Sequence, residues 1–386
     1  MTCNLQLQRD TKIFFSIKNL HDGDPVASMT PANTWRVEVL AGYAGSQTTA
    51  TQDITTLESG RTPDRGTSRY NTSIEPANWN FTCYVRPTGL ESTSGQTSNN
   101  YAVTNNSKPI ADWFLWQALI SNANAAVSTS ENSAWQNGGK FDSTTRVTAA
   151  NVAAHSTNFG TANEYHLYIM MDNVVYQIKH AAVNEATIDA AIDAIATTTW
   201  TGFGRDLEEL TGTQRNNAIA VFGGVYNDGT SVTGNSNAYA ITATSSYHPW
   251  GSYNVDGVIS TASFIKNRLS SLDMYHTAEG GSAVNYVFPL TAFSWTWNNG
   301  VTYLTPEELA VLNTPIGNFT GPRTITGSLT AYLRHGAGDT APFFRSLSND
   351  TRTSHASAAN ANVKVGGATA PYLAFYMPSV QFNIPT

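Results

Sequence analysis

Asp189 and Asp193 stand four residues apart, and paired carboxylates are the groups a glycosidase uses as acid and nucleophile. Nothing beside them in sequence brings an acid with a raised pKa, and on a strand the two share one face as solvated charges. "HDGDP" at residues 21–25 also offers two carboxylates around a glycine. A calcium loop needs further oxygen ligands at fixed spacing and a closing Glu, which do not follow, so the stretch reads as a turn. His166, His180, His248 and His276 lack the i, i+4 spacing of a zinc-protease helix. The Gly-rich "AEGGSAV" at 278–284 has no Lys within phosphate reach and reads as a hairpin turn. Cys3 and Cys83 lie far apart and make neither a disulfide framework nor a zinc spacing. Trp295 and Trp297 in "FSWTWNNG" fall on one sheet face, where they serve as a sugar platform or, more commonly for such aromatics, as core or interface. The residues point to no catalytic site, no cofactor and no metal.

The elements that must position these residues are mostly strands. "TKIFFSIKN", "TWRVEVLAG", "WNFTCYVRP", "EYHLYIMMDNVVYQIKHA", "YVFPLTAFSWTWNNGVTYL" and "PYLAFYMPSVQFNI" alternate with period two and are bounded by Gly, Pro and Asn. Helices are expected at 108–120, where Trp113, Trp116, Leu119 and Ile120 form a stripe, and at 305–313, where Thr305, Pro306 and Glu308 make an N-terminal signature. Residues 185–200 fit either state by themselves, with alanines favouring helix and the run "TTTW" favouring strand.

The 386 residues carry 41% hydrophobic and only 13% charged side chains, with a net charge of −7. A polar, weakly charged surface suits a protein that buries much of its outside in an assembly. No cluster of Lys and Arg suggests a site that grips nucleic acid. The N-terminus has no basic segment followed by an apolar core, and no run of about 18 apolar residues occurs, so neither a signal peptide nor a membrane helix is expected.

One pattern is written twice. Phe81-Thr82-Cys83-Tyr84-Val85-Arg86 matches Leu329-Thr330-Ala331-Tyr332-Leu333-Arg334, which makes Phe81, Tyr84 and Arg86 the counterparts of Leu329, Tyr332 and Arg334. A Thr-Pro turn precedes each copy, at 62–63 and 314–315, and a short apolar helical stretch follows, "DWFLWQAL" and "PFFRSL". Further on, residues 186–190 can be laid over 380–384, where Pro385 forbids a continuing helix; this tips 185–200 towards strand. The expected organisation is a first domain over 1–209, a loop-rich connection or insertion over 210–258, and a second domain over 259–386.

These same phrases, with "LQLQRDTKIFFS", "GRTPDRGTSRYNTSIEPANWNFTCYVRP", "NNGVTYLTP" and "TPIGNFTGPRTITGSLTAYL", resemble the major tail tube proteins of long-tailed bacteriophages, in particular the T-five-like type with two fused tube domains. The resemblance implies a mainly β chain of two tandem β-sandwiches, each with a short flanking helix, whose inner strands join a ring-shaped barrel. It implies a structural virion protein rather than an enzyme. Three chains would make a pseudo-hexameric ring, and rings would stack into the tail. The implied partners are copies of itself, the tape-measure protein, the tail terminator and tail-tip or baseplate proteins; DNA passes through without being specifically bound, and no membrane is involved. Synthesis would take place in the host bacterial cytoplasm, and the final location would be the virion tail. Family members continue past the second copy, which here has no counterpart to residues 195–204. A bore that DNA slides through should repel phosphate, and Asp189 and Asp193 are the candidate lumen-facing residues. The competing expectation is a carbohydrate-binding β-sandwich adhesion module using Tyr247, Trp250 and Tyr253.

Overall fold

The computed structural model describes residues 11–16, 19–21, 34–37, 39–54, 68–85, 112–120, 164–171, 174–222, 267–277, 283–309, 312–353, 358–365 and 373–382. The protein is mainly β. In its first half run β1 (Thr11–Ser16), β2 (Thr34–Val37), β3 (Ala44–Ser46), β4 (Thr49–Ile54), β5 (Ser68–Ile74), β6 (Ala77–Tyr84), helix α1 (Trp113–Ile120), β7 (Glu164–Met171), β8 (Val174–Ala191), β9 (Thr197–Gly204), β10 (Asp206–Glu209) and helix α2 (Gly212–Phe222). The second half holds β11 (Ser271–Thr277), β12 (Ala283–Phe288), β13 (Leu290–Asn298), β14 (Val301–Leu304), β15 (Gly317–Thr320), β16 (Thr324–Ala331), helix α3 (Thr340–Thr353), β17 (Ala358–Val365) and β18 (Leu373–Gln381).

The two halves use one plan. The order β2-β1-β7-β8 in the first is matched by β12-β11-β17-β18 in the second, every pair antiparallel. β3 pairs β6 as β13 pairs β16, and a helix follows β6 and β16 alike. Even the irregularities agree: a bulge interrupts β7–β8 between Tyr165 and Leu167, and another interrupts β17–β18 between Ala359 and Ala361. The bulges fix the equivalence. Ile178 and Ala181 correspond to Met377 and Val380, so residues 186–190 do not superpose on 380–384. The overlay drawn from sequence slips by five residues because both segments alternate, and alternation alone does not specify where a strand begins.

β8 ties the halves together. Its first half lies between β7 and β10, and its second half between β9 and β13. The result is a curled sheet with β3, β6, β9, the second half of β8, β13 and β16 side by side, two strands of which come from the second half of the chain. One hydrophobic core runs beneath it. Trp116 of α1 sits edge-on to Trp200 of β9 (4.9 Å) and to Trp297 of β13 (5.3 Å), and so bridges both halves. Phe15, Trp79 and Phe81 pack below the first half, and Phe288 and Phe343 below the second. Each such aromatic pair adds about 0.5–1.5 kcal/mol beyond its buried area.

Two expectations are corrected. Thr305–Glu308 belong to no regular element and Leu309 lies in a turn that leaves it 98% exposed, so no helix runs through these residues: Leu309 has no core to face. Within the supposed loop-rich connection, Gly212–Phe222 is helical. Ala218 and Ile219 of α2 bury against Phe14, Tyr168, Met170 and Val175. Residues 223–258 lie outside the described residues, as do 91–96 and the acidic residues of "HDGDP". Residues 185–200 are two strands joined by a turn.

Close approach of strands rests on glycine at two places, each opposite a tryptophan of the neighbouring strand. A Cβ on Gly202 would fall 2.2 Å from both the Ala182 carbonyl oxygen and the Trp79 ring, and one on Gly327 would fall 2.2 Å from the Trp295 ring. Gly202→Ala is therefore expected to destabilise the fold by about 1–3 kcal/mol or more. Gly317→Ala, where nothing lies within 4 Å, should be close to neutral. Urea unfolding of the two variants measures the difference.

Candidate functional site

The alternation of the central strands sorts their side chains into two populations. Ala77, Trp79, Phe81 and Cys83 of β6, Ala186, Ile188 and Ala190 of β8, and Phe293, Trp295 and Trp297 of β13 point into the core. The opposite face is polar. Pairing across the five strands β6, β9, β8, β13 and β16 aligns Thr82, Thr199, Thr187, Thr296 and Thr326 in one row. A second row runs Asn80, Thr201, Glu185, Asn298, Thr324, and a third Tyr84, Thr197, Asp189, Ser294, Ser328. β-branched threonine suits a pleated surface, and opposed hydroxyls bond across strands. Thr82 and Thr199 meet at 3.0 Å, Thr187 and Thr296 at 2.9 Å, and the Asn298 amide donates to Glu185 Oε2 at 2.7 Å. In these three rows the charged side chains are Glu185 and Asp189, both acidic.

Of the two candidate lumen residues, then, the structure puts Asp189 on this face. Asp193 is elsewhere: β8 ends at Ala191, and Asp193 sits in the following turn, where Arg268 Nη2 donates to its Oδ1 at 2.6 Å. The pair is about three-quarters exposed on both sides. Glu185 is the residue that sequence reasoning passed over. Its signal was present in the alternation Glu185, Thr187, Asp189.

The joint between halves is bonded beyond its strand pairing. Asn267, buried just before β11, donates through Nδ2 to the carbonyls of Ala191 (3.0 Å) and Ala194 (2.7 Å). At the other end of the sheet, Asn299 Nδ2 and Arg323 Nη2 both donate to the Leu119 carbonyl, satisfying an acceptor that the last turn of α1 leaves open. Asn184 accepts from the amides of Asn299 and Val301 at 2.8 and 2.7 Å. His180, whose φ of +50° marks the bulge of β8, bonds Glu164 at 2.8 Å; its carbonyl accepts from the Tyr303 hydroxyl, and Asn318 donates to Glu164. His166 meets His180 edge-on at 5.2 Å. His248 lies outside the described residues.

Among the described residues, chemistry suited to catalysis does not assemble around the other candidates. Trp295 and Trp297 are each 7% exposed, which removes them as a sugar platform. Tyr247, Trp250, Tyr253 and Arg86 lie outside the described residues. Among the described residues no group of three or more His, Cys, Asp or Glu could hold a metal, and no helix is long and apolar enough to cross a membrane. Phe81 is buried within β6, which ends at Tyr84, and Leu329 is half-buried within β16, which ends at Ala331; Tyr332, Leu333 and Arg334 follow it and are exposed.

A carboxylate is buried behind the sheet. Asp112, at the start of α1, accepts from Trp200 Nε1 at 3.1 Å and from the Cys83 thiol at 3.8 Å. Burial pushes its pKa up to about 6, against partial relief from these hydrogen bonds, and burial likewise pushes the Cys83 thiol up. The folded-state value lies above the ordinary 3.8, so the group favours the fold fully below pH 3.8. That contribution is lost as pH rises through 6, to the extent of about 3 kcal/mol by order of magnitude. Asp112→Asn keeps an acceptor for Trp200 and removes the charge. Its stability relative to the native chain is expected to rise between pH 4 and pH 8, as read by urea unfolding at both values.

Comparison with known proteins places this geometry. The chain is 29% identical over 332 residues to the tail tube protein pb6 of Escherichia phage T5, a match covering 86% of this chain. The chain spans 58% of that protein's length. No family model matches the chain. The resemblance to T5-like tail tube proteins carried by the repeated motifs is borne out, and the mainly β architecture agrees with it.

Proposed function

Starting from this kinship with phage tail tube proteins, we propose that the chain is a structural subunit of a phage tail tube. Its two halves, over about 1–209 and 259–386, act as two ring positions. Three chains form a pseudo-hexameric ring, rings stack into a tube, and the tube encloses the tape-measure protein before conducting DNA. It ends against terminator and tail-tip or baseplate proteins. The observation that carries this reading is the edge-to-edge joining of the two equivalent halves into one sheet through β8 and β13. A covalent chain already makes between its halves the kind of head-to-tail junction that, repeated between chains, closes a ring. Among the described residues β3 and β16 stand at the two ends of that sheet, and unpaired edges invite a further strand.

The polar face is the bore wall in this proposal. Threonine, serine and asparagine offer no cation to phosphate, and Glu185 and Asp189 repel it. Each added Lys–phosphate contact would bring salt-dependent affinity and slow the sliding of DNA. Burial of Trp295 and Trp297 removes the sugar platform on the sheet, whereas Tyr247, Trp250 and Tyr253, on which the adhesion-module reading rests, lie outside the described residues.

Two measurements test the proposal. Negative-stain microscopy of the concentrated protein, with the mass per ring determined, should show hollow stacked rings of three chains; rings of six chains or a discrete globular oligomer would overturn the two-copy reading. A Glu185→Lys/Asp189→Lys chain assembled into tubes should retain short duplex DNA at low salt and release it at high salt, whereas native tubes retain none. Equal retention by both would remove the face from the bore.

A further inference from the structure

We propose that the two ends of the central sheet are complementary halves of one contact between copies of this chain, made end to end along the strand direction. The inference rests on the tube reading and names the surfaces through which one ring meets the next. Both hairpins β4–β5 and β14–β15 leave the sheet from the same end, since each springs from the start of β6 or β16 and the end of β3 or β13. They are joined there: the Ile74 amide donates to the Asn313 carbonyl at 2.8 Å, and Ser73 bridges Asn313. The β14–β15 ribbon is held against the sheet by Val301 and Tyr303, buried on Ala182 and Phe203. These ribbons nonetheless expose Leu309 (98%), Ile316 and Phe319, with Glu307 and Glu308 beside Leu309.

The opposite end of the same sheet carries a second apolar patch. Ile192 and Ile195 in the β8–β9 turn are exposed, as is Leu333 (76%) just past β16. They are neighbours, because the Ile192 amide donates to Thr291 O and the Tyr332 amide to Pro289 O. Exposed Arg334 follows Leu333. One end therefore presents leucine flanked by two carboxylates, and the other presents leucine flanked by a guanidinium. Two patches on opposite ends of one rigid sheet cannot meet within a chain. They can meet between chains, in a head-to-tail contact whose repetition generates an unbounded stack. A second copy is thus the occupant that fits both ends at once. Each ring would make the contact several times in parallel, so a contact that is weak singly suffices.

Charge reversal decides it, since Glu307, Glu308 and Arg334 are exposed and their replacement leaves the core intact. Glu307→Arg/Glu308→Arg and Arg334→Glu should each cut the fraction of stacked polymer by about tenfold or more, the effect of a contact weakened by 1.4 kcal/mol. The combined variant, with the signs exchanged, should restore stacks while single rings persist throughout. Polymer length is read by sedimentation velocity and microscopy. Stacks of native length in every variant would overturn the end-to-end contact and leave the tube reading standing. If the native chain forms no rings, the tube reading fails; head-to-tail association of single chains in the same sedimentation series then decides the contact, with loss in each single reversal and recovery in the pair supporting it, and no association in any form overturning it.

Discussion

The rest of the structure depends on one strand having four partners. β8 is 18 residues long, on the order of 60 Å if extended. Its first half completes the sheet with β7 and β10, and its second half is gripped by β9 on one edge and β13 on the other. A flat strand could not serve both. The bulge at His180 turns it, at the cost of a left-handed backbone in a residue with a Cβ. The bonds around that point, from Tyr303 to its carbonyl and from its ring to Glu164, hold the turn from both halves of the chain.

Because β8 is pinned on both edges, its register is fixed, and with it the identity of the two faces. A slip of one residue would carry Ile188 outward and bring Glu185 or Asp189 against Trp200 and Trp297. The tryptophans enforce the register in turn: Trp79 lies over Gly202 and Trp295 over Gly327, so each ring fits only where its neighbour has no Cβ. A dry aromatic core and a hydroxyl-lined polar face are thus two sides of one constraint.

The duplicated plan is not used identically. Gln47, immediately after β3, stays within the first half, donating to Glu75 O and Arg205 O and accepting from the Leu207 amide. Asn299, immediately after β13, reaches across to the Leu119 carbonyl of α1. The first amide closes the first half on itself, and the second joins the two halves. Asp112 shows a similar divergence, since it is buried by Trp200 of β9, while Asp339 at the start of α3 accepts from the Gly336 amide at the surface.

The sequence by itself determined the most strongly alternating strands, the twofold writing of the plan and the character of the two faces, but not weaker strands such as β4, β5, β10, β11 and β17. Alternation is a local property, and residues such as Trp79, Phe81, Glu185, Thr187 and Asp189 carry it in their own order. It also pointed to the kinship, which a relative 29% identical over 86% of the chain supports. It did not determine where β8 stops, and so placed Asp193 on a strand that had already ended. It missed α2, a helix of mostly polar composition whose few apolar residues gain their value only against Phe14 and Tyr168. It read a helix into 305–313 from good local signals that no core was there to reward. The joining of β8 to β13, the row of five threonines and the capping of α1 from the other half belong to the tertiary structure alone. Which strand edges meet depends on residues about a hundred or more apart in the chain, and bulges shift the register without leaving a mark in the local pattern.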